Sequence, residues 1–61
     1  MSTLERTKLL QEITKSAIGV RRAYATSMIL FSKKVLMDAI RTARDAGCTE
    51  TEISIAKGKE N

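Results

Sequence analysis

The chain has 61 residues, 43% of them hydrophobic, and a formal net charge of +4. That allows one domain at most, at a size where a lone core is marginally stable, and its apolar content excludes wholesale disorder. With no histidine and a single cysteine, the usual general base and metal ligands are missing, so the sequence implies no enzyme: no catalytic residue, metal, cofactor or small-molecule substrate is expected.

Ser2-Thr3-Leu4-Glu5 reads as a capping box, in which Ser2 accepts from the Glu5 amide and Glu5 answers back. A helical pattern follows through Leu9, Leu10, Ile13, Ala17, Val20, Tyr24, Met28, Phe31, Val35 and Ala39. From Leu10 onward its steps are threes and fours, the spacing of one helix face. Ala46-Gly47 ends it, glycine being suited to the left-handed residue after a helix. The pattern, about 3–46, is either one helix of roughly 66 Å or a helical hairpin. Gly19 and Ala25-Thr26-Ser27 are the candidate interruptions, and a break in 19–27 is favoured. Neither is a strong breaker, since an interior glycine costs only about 1 kcal/mol against alanine.

Thr49-Glu50-Thr51-Glu52 is a second capping box. It opens a short helix over about 50–57 that carries Ile53, Ile55 and Ala56 and stops at Gly58. Residues 59–61 are expected to fray. The fold class is therefore all-α, one small helical domain over 1–61.

Met28, Ile29, Leu30 and Phe31 are consecutive, with Val35, Leu36 and Met37 close behind. At about 100° per residue such a run points all round its helix, and a helix that is apolar all round must be covered all round. So short a chain has little with which to cover it. A homo-oligomeric bundle is the expected remedy, its interface centred on Tyr24, Met28, Phe31 and Val35, with methionine adapting to irregular surfaces. An intramolecular core, or the groove of a different protein, would use the same stripe.

No acid lies between Ile13 and Met37, whereas Lys15, Arg21, Arg22, Lys33 and Lys34 do. These five are the candidate nucleic-acid contacts. Arg21, Arg22 and Lys33 rank first, having no acid three or four residues away. In one long helix Lys8, Lys15, Arg22, Lys33 and Arg44 would form a single basic row able to meet phosphates without base readout. A solvated outer face reads the same way.

The apolar run is too short for a membrane span and is interrupted by Ser32, Lys33 and Lys34. Residues 1–6 lack the order of a signal peptide. A lone Cys48 forms no internal disulfide and lacks an activating base, so it reads as a small turn residue in a reducing compartment. A cytoplasmic location is expected, with no membrane partner.

The stretch 39–58 resembles the first two helices of the helix-turn-helix domains of bacterial and phage regulators. The matching residues are Ala46, Gly47, Thr49, Glu52, Ile53, Ala56 and Gly58. In that family the glycine at the place of Gly58 opens the turn to a recognition helix in the major groove. No such helix follows here, so no base-contacting residue carries over. The resemblance implies a small basic regulatory protein that self-associates and binds duplex DNA or a transcription complex, as phage and plasmid accessory proteins do. The alternative is an interaction or assembly module, an inhibitor, adaptor or structural subunit, that binds a protein partner and no nucleic acid.

Overall fold

A computed structural model describes residues 3–58. It contains three α-helices: α1 (Thr3–Ala23), α2 (Ile29–Asp45) and α3 (Glu50–Gly58). The chain is thus a helical hairpin with a short third helix. Ser2 of the first capping box and the 59–61 tail lie outside the described residues.

The break falls at residues 24–28, overlapping the end of the expected 19–27 window, and Thr26 makes it. Its amide donates to the Ala23 carbonyl at 2.9 Å and its hydroxyl donates to the same oxygen at 2.7 Å. The Thr26 hydroxyl then accepts from the Met28 amide at 3.1 Å. One side chain thereby serves the last carbonyl of α1 and an orphan amide at the start of α2, groups that a helix end leaves unsatisfied. Ala25 takes a φ of 128° to let the chain reverse. Gly19, the other candidate break, lies inside an uninterrupted α1.

The exit from α2 is a Schellman turn. The Gly47 amide donates to the Arg44 carbonyl and the Cys48 amide to the Ala43 carbonyl, both at 3.0 Å. Gly47, at φ 98°, holds the left-handed position that L side chains avoid. The second capping box closes as expected: the Glu52 amide donates to Thr49 Oγ1 at 3.1 Å, and the Thr49 amide donates to Glu52 Oε1 at 2.9 Å. The Thr49 amide, with the Arg6 guanidinium beyond it, holds the Glu52 carboxyl below the ordinary range even though partial desolvation opposes the shift.

Ile13, Ala43, Cys48, Ile53 and Ala56 form the buried cluster, with Leu9, Leu10, Leu36, Ala39 and Ile40 packed against it. All three helices meet there, at the end of the hairpin away from the 24–28 turn. Cys48 is a member of this core, which corrects its reading as a mere turn residue: as the second residue past the helix cap it makes the apolar contact that commonly accompanies a Schellman turn. Polar ties fix α3 along α1. Arg6 pairs with Glu52 at 3.1 Å. The buried Thr14 hydroxyl lies 3.0 Å from the Ala56 carbonyl oxygen and 3.2 Å from that of Leu10, so its one proton is shared between a neighbouring helix and its own.

Candidate interaction surfaces

The buried stripe of α2 runs through Leu36, Ala39, Ile40 and Ala43. At about 100° per residue, Phe31 and Val35 fall on one flank of that stripe, and Leu30, Met37 and Lys33 on the other. Among the described residues, nothing covers either flank. Tyr24 is 71% exposed, Met28 55%, Phe31 63% and Val35 39%. The periodic stripe of the sequence is therefore divided in two. Ile13 and Ala17 find cover, whereas the four residues expected at an interface stand in the open around the hairpin turn. Separate large apolar residues on a surface are ordinary, but a contiguous group bearing two aromatic rings is characteristic of contact surfaces.

A groove of about 260 Å³ runs between α1 and α2 on this flank, lined by Lys15, Ser16, Gly19, Phe31, Ser32 and Val35. Gly19 adds no side chain to it and faces open space there. Lys15, expected among the anion contacts, is thus drawn to the rim of an apolar groove.

The other flank of α2 carries the charge. Lys33 and Lys34 line a shallow groove with Leu30, Met37, Arg41 and Arg44, and Asp38 and Asp45 lie along it too. Arg44 already has a partner: its Nε donates to Glu50 Oε1 at 2.6 Å, and that bond with the adjacent carboxylate charge raises its pKa further. The pair is exposed, so it registers the helix ends more than it stabilises them. Arg41 joins Lys33 and Lys34 here although it was absent from the candidate set. The signal was available in the sequence, because residues 33, 34, 37 and 41 share one side of a helix, but the acid-free window ended at Met37 and hid it.

The hairpin disperses the remaining cations. The basic row through Lys8, Lys15, Arg22, Lys33 and Arg44 does not exist: its first three members lie on α1 and the last two on α2, and a row at seven- and eleven-residue spacing needs one continuous helix. Arg22 is exposed on α1. Arg21 instead donates from Nη2 to the Lys57 carbonyl oxygen at 2.8 Å, satisfying a carbonyl of the last turn of α3, where a cation also suits the helix dipole. That bond spans two helices and could not be read from spacing.

Among the described residues, no helix is long and apolar enough to cross a membrane. No protein-family model, no curated protein and no solved structure matches the chain.

Proposed function

We propose that this chain is a helical interaction module that assembles with itself through the exposed apolar residues of the hairpin turn and α2, Tyr24, Met28, Phe31 and Val35. One observation carries the reading: two aromatic and two aliphatic side chains are left exposed together beside a buried core that accepts their neighbours. Aromatic residues and methionine are enriched, and charged residues depleted, at the centres of protein interfaces. A cytoplasmic setting, in which Cys48 stays a free thiol, belongs to the same reading. Size-exclusion chromatography with light scattering is the test. The wild type should be an oligomer at micromolar concentration. Phe31→Glu, which would bury a charge in the interface at a cost of several kcal/mol, should be a monomer of unchanged helicity. A wild-type monomer with a cooperative melt overturns the proposal.

The regulatory reading, association with duplex DNA or a transcription complex, rests on a different observation. Lys33, Lys34 and Arg41 line one groove along α2; Lys33 points away from Phe31, whereas Lys34, three residues on, borders it. A two-fold pair would double that basic surface, which suits phosphate contact without base readout.

A further inference from the structure

Leu30 and Met37 are used by neither reading above, although Leu30 is 76% exposed and Met37 68%. Seven residues apart on α2, they fall within about 20° of one another and form an apolar midline. Lys33 lies on one side of that line, and Lys34 and Arg41 on the other, all within about 60° of Met37. The three cations are exposed, and among the described residues none of them forms an ion pair. Asp38 and Asp45 stand farther round, about 80–100° from Met37, at the edge of the face.

We infer that this face of α2 lies on an anionic lipid surface, with Leu30 and Met37 entering the acyl boundary and Lys33, Lys34 and Arg41 meeting the headgroups. A face that is at once apolar and cationic matches a bilayer surface, which offers anionic headgroups above hydrocarbon. The long stems of lysine and arginine let the charges rise to the headgroups while the midline sinks. Duplex DNA would use the cations but leave Leu30 and Met37 in water. An acidic partner helix would need a groove between two elements, whereas every residue lining this surface belongs to α2 alone. A single exposed helix face suits a plane.

Such a contact needs no span, because α2 rests along the surface and does not cross it. It departs from the sequence expectation of no membrane partner, which concerned a spanning segment and a signal peptide. The contact goes beyond the self-association proposed above and does not depend on it, since Phe31 and Val35 lie about 120–160° round from Met37.

The experiment is co-sedimentation with vesicles of phosphatidylcholine, with and without phosphatidylserine, at low and physiological salt. Wild type should sediment with the phosphatidylserine vesicles at about millimolar lipid, stay in solution with phosphatidylcholine alone, and be released by salt. Lys33→Gln, Lys34→Gln and Arg41→Gln together should abolish sedimentation, each cation near an anionic surface contributing about fivefold. Leu30→Ser with Met37→Ser should weaken binding by about 10-fold, through the apolar surface no longer buried. All five side chains are exposed, so circular dichroism and light scattering should show unchanged helicity and oligomeric state in both variants. A wild type that stays in solution with phosphatidylserine vesicles at low salt overturns the inference, whatever its oligomeric state. So does an unchanged affinity in the serine variant, which would leave a charge-only surface of the kind duplex DNA uses. A wild-type monomer that sediments with the vesicles would remove the self-association reading alone.

Discussion

Cys48 shows how burial changes the meaning of a residue. From sequence, a small side chain in a turn with no activating base tolerates serine. In the fold its side chain is enclosed with Ala43, Ile53 and Ala56, where cysteine acts as a small hydrophobe. Serine would bring a hydroxyl into that site, and an unpartnered buried hydroxyl costs about 1–3 kcal/mol. Alanine merely deletes the sulfur and leaves a small void, for about 1 kcal/mol or less. Urea unfolding should therefore rank wild type above Cys48→Ala and Cys48→Ser lowest, with all three keeping the same oligomeric state. Equal midpoints for the two variants would show that the serine hydroxyl finds a partner.

At the scale of elements, the hairpin turn stores strain that the rest of the chain supports. Ala25, exposed and at φ 128°, occupies backbone space that costs an L residue about 1–3 kcal/mol. Ala25→Gly removes that strain. It also loosens the unfolded chain, which offsets about 0.4–1 kcal/mol. The net expectation is a gain on the order of 1 kcal/mol, seen as a melting temperature raised by several degrees in a chain of this size; a lower melt would mean that the turn is not strained. The same element marks the limit of sequence reading. The Thr49–Glu52 box was legible because both partners lie within one helical turn, and Gly47 was legible because only its own φ demands it. The break at 24–28 was legible only as a window, because Thr26 acts through hydrogen bonds that many threonines could make. The apolar stripe had one period throughout, so it could not tell that Ile13 would be covered and Phe31 left open. That division depends on where α3 lies, and Arg6–Glu52 and Arg21–Lys57, which help to place it, join residues far apart in sequence.

For the whole molecule, the hairpin decides which cations can act together, and so which substitutions test the regulatory reading. Arg21 is a poor probe, since replacing it would release the last turn of α3 along with any phosphate. Lys33, Lys34 and Arg41 are exposed on one flank of α2, and glutamine at all three positions nearly preserves helix propensity. If that flank meets duplex DNA, the triple variant should remain folded and self-associated yet bind more weakly, by the same factor for every sequence. Its log–log dependence of affinity on salt should be shallower by about 0.9 for each phosphate contact removed. Fluorescence anisotropy on a generic duplex at several salt concentrations, with circular dichroism and light scattering alongside, measures all three quantities. A wild type that binds no DNA even at low salt would remove the regulatory reading and leave the self-associating module. In that case the cations of α2 would serve only to speed the approach of an acidic protein partner, and the triple variant would bind that partner with a slower on-rate and a nearly unchanged off-rate.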